Sequence, residues 1–181
     1  MALTYTKSRW FNGDNLSVYF PNAMDTPTRG GELSILGGHV AEVYCTLADL
    51  PVLSSDANGL LLADNVRIPA GAFIEKVEVF VTKEPTEASG TDANFNLGIV
   101  NATTMAITDA DGLLAAADAF HAGTDLGKTT EYVVGTTEAG ALIGTQLAAT
   151  SLLCAAYDTD PWTGGVIRIR VFWTPVLSAD D

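Results

Sequence analysis

Hydrophobic and polar residues alternate with a period of two in several segments of this chain. In one segment, valine occupies positions 77, 79 and 81, while mostly polar residues fill the positions between them. In another, isoleucine, valine and tryptophan alternate with Arg168, Arg170 and Phe172 between positions 167 and 173. A period of two is typical of a β-strand with one face in a core and the other face towards solvent.

Shorter runs of β-forming residues are distributed along the rest of the chain. They cover residues 40–47, 60–62, 66–68, 95–100, 132–134 and 152–157, and clusters of glycine, proline, asparagine and aspartate separate them. Several short strands spaced by turns predict an all-β fold, specifically an antiparallel β-sandwich with a jelly-roll-like order of strands.

One segment departs from this pattern. Residues 109–120 are rich in alanine and leucine and begin with an Asp-x-Asp-Gly turn. This composition predicts one short helix, with Asp109 or Asp111 as its cap. The same turn has the beginning of a calcium loop, but Phe120 stands where that loop requires a glutamate.

The first 38 residues differ from the rest, because no period persists in them apart from a possible short strand at 16–20. We predict an extended N-terminal arm over residues 1–38 and a single β-sandwich domain over residues 39–181. The arm's aromatic side chains need burial, either on the chain's own body or on a neighbouring subunit. We expect contacts between subunits to come from Trp10, Phe11, Tyr19 and Phe20.

The composition favours a protein that is covered by partners. The chain has 181 residues, only 17% of which are charged, against about a quarter in ordinary soluble domains. Too few charges to coat the surface indicates a homo-oligomer, a dimer or a trimer, or a larger assembly. The net charge of −13 repels phosphate backbones and makes nucleic acid an improbable partner.

The sequence offers no membrane segment and little chemistry. The longest uncharged apolar run, near residues 152–157, is far shorter than the roughly 18–20 residues of a membrane helix. The first residues contain no apolar signal core, so we expect synthesis in the cytoplasm without export through a signal pathway. Cys45 and Cys154 are too few for a disulfide framework and are expected to be buried free thiols.

No catalytic or metal-binding motif occurs, so we expect a non-enzymatic protein without a cofactor or metal. His39 and His121 lie far apart, and no Gly-x-Ser-x-Gly or phosphate-binding loop is present. Arg168 and Arg170 share one strand face, where they either grip the carboxylates of a partner or form a solvated, edge-protecting face. Three aromatic residues, Trp10, Phe11 and Trp162, either stack on sugar rings or pack internally.

The order of these segments resembles small structural proteins of tailed bacteriophages that decorate or cement the outside of a capsid. The resemblance is carried by residues 66–82, which contain Val-Arg-Ile-Pro-Ala-Gly-Ala-Phe, and by residues 95–100, 109–116 and 165–173. It covers about residues 60–175. The resemblance implies a β-sandwich without enzymatic activity that binds between capsid subunits.

The sequence therefore leads to three hypotheses. The first is a virion protein on the capsid surface that binds the major capsid protein and stabilises the shell by bridging its subunits. The second is a tail or fibre-associated adhesion module that binds host glycans. The third is a hydrolase whose catalytic residues come together only in the folded chain.

Overall fold

A computed structural model describes residues 9–11, 17–19, 31–35, 38–53, 58–88, 93–117 and 126–175, the first three segments as strand backbone alone. The described residues form eleven strands and a single 3-10 turn at Leu47–Asp49. The strands are β1 (Arg9–Phe11), β2 (Ser17–Tyr19), β3 (Gly31–Ile35), β4 (Gly38–Thr46), β5 (Leu60–Leu61), β6 (Ala72–Glu87), β7 (Phe95–Asn101), β8 (Ile107–Ala117), β9 (Thr129–Val133), β10 (Ser151–Ala156) and β11 (Trp162–Pro175).

The strands form two antiparallel sheets, which confirms the predicted all-β sandwich. The large sheet has the order β1-β2-β3-β4-β11-β6-β9, and the small sheet has the order β5-β10-β7-β8. From β4 onwards the strands pair as nested couples, β4 with β11, β5 with β10, β6 with β9 and β7 with β8. One long antiparallel ribbon folded over itself gives this jelly-roll-like connectivity.

The large sheet buries one face, as its alternating sequence predicts. On β6 and β11 the inward side chains are fully buried, and among them are Val77, Val79, Ile167 and Ile169. The intervening side chains lie on the opposite face, where they are half-buried or exposed. β6 also continues to Glu87, four residues into a segment whose composition predicts a loop, because it pairs there with Trp162 and Gly164 of β11.

The two inner strands of the small sheet, β7 and β10, are buried on both of their faces. Every residue from Phe95 to Val100 is buried, and so is every residue of β10. One face packs in the main core, and the other face carries a second apolar cluster of Val100, Leu152 and Cys154. The sequence of a strand that is buried on both sides is a nearly continuous apolar run, as in β10.

The predicted helix over residues 109–120 is wrong. The structure has strand β8 over Ile107–Ala117, and Phe120 lies outside the described residues. β8 is strongly bulged, since the two-residue step from Leu97 to Ile99 on β7 is matched by a five-residue step from Asp109 to Leu114 on β8. Helix propensity differs by less than about 1 kcal/mol per residue between ordinary residues, so pairing with β7 outweighs it.

A turn covers the outer edge of β8 and thereby closes the small sheet. Ala115 N donates to Glu138 O at 2.9 Å, and Gly140 N donates to Leu113 O at 3.0 Å. Leu142 N donates to Gly112 O at 2.7 Å. An edge that is covered in this way cannot pair with another chain.

Three strands lie within the region that the sequence analysis interprets as an extended arm. β1 pairs with β2, β2 pairs with β3, and β3 pairs with β4 across the proposed domain boundary at residue 38. The backbone of this region therefore extends the large sheet. Whether the region also reaches a neighbouring subunit stays a prediction.

Candidate functional site

We call the half-buried surface of the large sheet the outer face. Among the described residues, this face is the candidate site because it combines charged and aromatic side chains. It is formed by alternate residues of four neighbouring strands, whose Cα register places them in three rows across the strands. The rows are Tyr44-Arg168-Phe80-Thr129, then Glu42-Arg170-Glu78-Glu131, then Val40-Phe172-Lys76-Val133.

The middle row, which we call the charged row, is held by ion pairs within the chain. Arg170 Nε donates to Glu42 Oε2 at 2.6 Å. Lys76 Nζ, from the adjacent row, donates to Glu131 Oε2 at 2.5 Å and to Glu78 Oε1 at 2.8 Å. These hydrogen bonds, first the one to Glu131 and then the one to Glu78, raise the pKa of Lys76. All three carboxylates of the outer face therefore have a cation of the same chain.

The two outer rows place cations over aromatic rings. Lys76 Nζ lies 4.5 Å from the centroid of Phe172. Arg168 Cζ lies 4.8 Å from the centroid of Phe80. Both distances are within the range of a cation–π contact, which fixes where each charge sits above the sheet.

The structure brings the two predicted arginines to one face but gives them different surroundings. Arg170 lies between Glu42 and Glu78, whereas Arg168 lies between Tyr44 and Phe80. The Nε atom of Arg168 is buried, and none of the described residues accepts a hydrogen bond from it. Arg168 therefore keeps its Nε donor for a partner's carboxylate.

The predicted arm residues are only partly described. Trp10 and Phe11 belong to β1 and Tyr19 belongs to β2, where Arg9 is the register partner of Tyr19. Phe20 lies outside the described residues. Their predicted contacts between subunits stay predictions.

Sequence reasoning missed several residues of the outer face. Lys76, Phe80 and Phe172 appear in the alternating strands, but the alternation gives only their side of the sheet. Which cation meets which ring depends on the register between β6 and β11, whose paired residues are about ninety residues apart along the chain. No local signal in the sequence carries that register.

The other residues that the sequence singles out are explained by packing in the part of the chain that the structure describes. Among the described residues, no group of three or more histidine, cysteine or acidic side chains is arranged to hold a metal. His39 stacks on Trp173 with ring centroids 4.1 Å apart, and His121 is not among the described residues. Trp162 is 4% exposed and donates to Asn94 O at 3.2 Å, so it packs internally and is not a platform for sugars.

Both cysteines are buried free thiols, as the sequence predicts. Burial raises the pKa of Cys154 to about 12 and also raises the pKa of Cys45. A thiol that stays protonated is a poor nucleophile. In the part of the chain that the structure describes, no helix is long and apolar enough to cross a membrane.

Comparison with known proteins gives two structural likenesses. The first is a chain of the capsid asymmetric unit of cyanophage Pam1, with 16% identity, 79% of this chain and 89% of that chain covered, and a TM-score of 0.46. The second is a chain of the capsid of Ralstonia phage GP4, with 12% identity, 76% and 86% covered, and a TM-score of 0.37. No protein-family model and no curated protein matches the chain. Because both TM-scores lie below 0.5, neither likeness is used as evidence for function.

Proposed function

We propose that this protein is a non-enzymatic structural protein of a tailed-phage virion that binds the outside of the capsid and bridges its subunits. The observation that carries the proposal is the outer face of the large sheet. This face is broad and regular, and its aromatic side chains alternate with cations and with paired charges.

The composition of the outer face fits a surface that binds another protein. Interfaces are enriched in aromatic residues and arginine, and the two rows that flank the charged row contain Tyr44, Phe80, Phe172 and Arg168. Glu42, Glu78 and Glu131 already have partners in the free chain, so covering this face leaves none of these three carboxylates unpaired. Burying an unpaired charge would cost several kcal/mol.

The fold supports the same role through its rigidity. A sandwich in which β7 and β10 are buried on both faces has little freedom to rearrange when a partner binds. Little ordering entropy is then lost on binding. A rigid body that touches two neighbouring subunits resists their separation.

The mechanism of stabilisation is mass action. A protein that binds only the assembled, expanded shell lowers the free energy of that shell relative to its separated subunits. Each bound copy contributes to this stabilisation, and the contributions of many copies add up. We propose the major capsid protein as the partner, a dimer or trimer as the bound form, and the virion surface as the location.

The experiment is to add purified chain to shells of the encoding virus that lack it, and to measure occupancy by co-sedimentation and electron cryo-microscopy. We expect ordered density on the shell with the outer face towards the capsid. Thr129→Arg, on the outer face, should lower occupancy at least about tenfold, because a bulky charge is inserted into a packed interface. Thr103→Arg is the matched control, in an exposed turn between β7 and β8.

Two further measurements separate this function from the alternatives. Deleting residues 1–30 should reduce occupancy if the arm contacts neighbouring subunits, and undiminished binding would remove the arm from the proposal. A chain that ignores shells but binds cells or a glycan array would instead be an adhesion module. Density found on the tail rather than on the icosahedral shell would also contradict the proposal.

A further inference from the structure

Among the three cations in the rows of the outer face, Arg168 is the one that no carboxylate of the described residues pairs with. Lys76 and Arg170 are both bound to glutamates. Arg168 has an aromatic register partner on each side, Tyr44 on β4 and Phe80 on β6. A half-buried guanidinium with no counterion is costly to retain unless something binds it.

The geometry of Arg168 prepares it for a ligand. Its guanidinium stands over the ring of Phe80, with Cζ 4.8 Å from the centroid, and this contact limits the rotamers of a long side chain. A guanidinium presents its donors as a planar fork that matches the two oxygens of a carboxylate. The ring of Phe80 covers one side of the guanidinium, and this partial loss of water strengthens the attraction between opposite charges.

We propose that Arg168, flanked by Tyr44 and Phe80, receives an aspartate or glutamate side chain from a different polypeptide of the capsid shell. The proposal rests on the function proposed above and identifies the chemistry of the contact. The bound segment carries one carboxylate with apolar side chains beside it. The carboxylate pairs with Arg168, and the apolar groups cover the two aromatic rings.

A second copy of this chain that docks through its own outer face fits Arg168 less well than a different polypeptide does. Every carboxylate on the outer face is already bound to Arg170 or Lys76. Two outer faces placed together would therefore leave both copies of Arg168 without a counterion. Charge complementarity favours a partner that brings its own acidic residue.

The test measures binding of purified chain variants to shells that lack the protein. Arg168→Gln should weaken binding at least about tenfold, because a charge-assisted bidentate pair is lost. Arg168→Lys should recover only part of the affinity, since lysine keeps the charge but not the fork. The matched control is Arg67→Gln, an exposed arginine outside the outer face, and we expect binding within about twofold of the unmodified chain.

A photo-crosslinking amino acid in place of Tyr44 then identifies the bound segment. We expect the crosslink to lie within a few residues of an aspartate or glutamate of a shell protein. Exchanging that residue for arginine should abolish binding of the unmodified chain, and the Arg168→Glu variant should restore it. Denaturant unfolding of each variant verifies that it is folded.

The outcomes distinguish this inference from the proposed function. If the unmodified chain binds shells and Arg168→Gln binds equally well, the inference is wrong and the function stands. Crosslinking to a second copy of this chain would also overturn the inference. If the unmodified chain does not bind shells at all, both are overturned.

Discussion

Glycine at position 98 allows two strands of the small sheet to approach closely. A Cβ atom built on Gly98 would lie 2.1 Å from Asp109 O and 2.4 Å from the carbonyl carbon of Ala110. Both contacts are with backbone atoms of β8, which cannot move aside as a flexible side chain would. The bulge of β8 therefore depends on the missing side chain of β7.

We predict that Gly98→Ala lowers the free energy of unfolding by about 3 kcal/mol or more, because overpacking forces two backbones apart. Denaturant unfolding measures the change. The control is Gly127→Ala, whose Cβ would meet nothing within 4 Å and which carries only the strain of φ +81°. That strain costs roughly 1 kcal/mol. Equal effects for the two substitutions would contradict the close approach of β7 and β8.

At this scale the sequence predicts some residues of the site and not others. The pairing of Arg168 and Arg170 on one face follows directly from their spacing of two. Their different roles do not follow from it, because Glu42 is a neighbour of Arg170 only through pairing with β4, more than a hundred residues away along the chain. Whether an arginine of this face is paired with a carboxylate depends on the strands that lie beside it.

Among the elements, β8 shows most clearly how packing overrides local preference. Its alanine-rich sequence favours a helix, but the chain forms a bulged strand in which Ala116 has φ 51°. The buried Asn96 accepts a hydrogen bond from Ala116 N through Oδ1 at 2.7 Å. That bond satisfies a backbone donor that the irregular ladder would otherwise leave without an acceptor.

We predict that Ala116→Gly raises the free energy of unfolding by up to about 1 kcal/mol, because glycine adopts a positive φ without the steric cost that alanine bears. The side chain of Ala116 is exposed, so little packing is lost. The control is Ala106→Gly, an exposed alanine without a positive φ. It should lower stability by about 0.5 kcal/mol. A loss of stability for Ala116→Gly would show that β8 has a different backbone.

The strands that the sequence predicts well are those with one wet face. β4, β6 and β11 alternate in composition because solvent lies on one side of them, whereas the run predicted at 132–134 overlaps only the end of β9. The bulged β8 gives no such pattern, and β5 has only two residues. Where these two strands begin and end is decided by the strands with which they pair.

For the whole molecule, three buried or paired groups determine how stability responds to alkali. Burial raises the pKa of Cys154 from 9.0 to about 12, burial raises the pKa of Cys45, and hydrogen bonds to Glu131 and Glu78 raise the pKa of Lys76 from 10.5. In each case the folded chain holds its proton more tightly than the unfolded chain does. Their stabilisation is complete below the unfolded pKa and is lost as the pH rises.

We therefore predict that the free energy of unfolding falls as the pH rises above about 9. Urea unfolding at pH 7, 9, 10 and 11 measures this slope. Lys76→Gln should make the slope shallower above roughly pH 10.4, because its unfolded pKa lies there. A free energy of unfolding that stays constant up to pH 11 would contradict the burial of the thiols.

The fold class was predictable from the sequence, but the order of the strands was not. Alternation and turn spacing are local and indicate a sandwich. Which strands lie side by side is decided by contacts such as those of β4 with β11, which no local pattern encodes. The site on the outer face depends on that order, so the sequence predicts only part of it.

The position of β11 has a consequence for the synthesis of the protein. β11 is the last strand of the described chain, yet it lies in the interior of the large sheet between β4 and β6. When every earlier strand has been synthesised, the large sheet still lacks this interior strand. The edges of β4 and β6 that pair with β11 then stay exposed. The sandwich therefore closes only after translation reaches β11, and nascent chains that stall before it are the form most prone to aggregate.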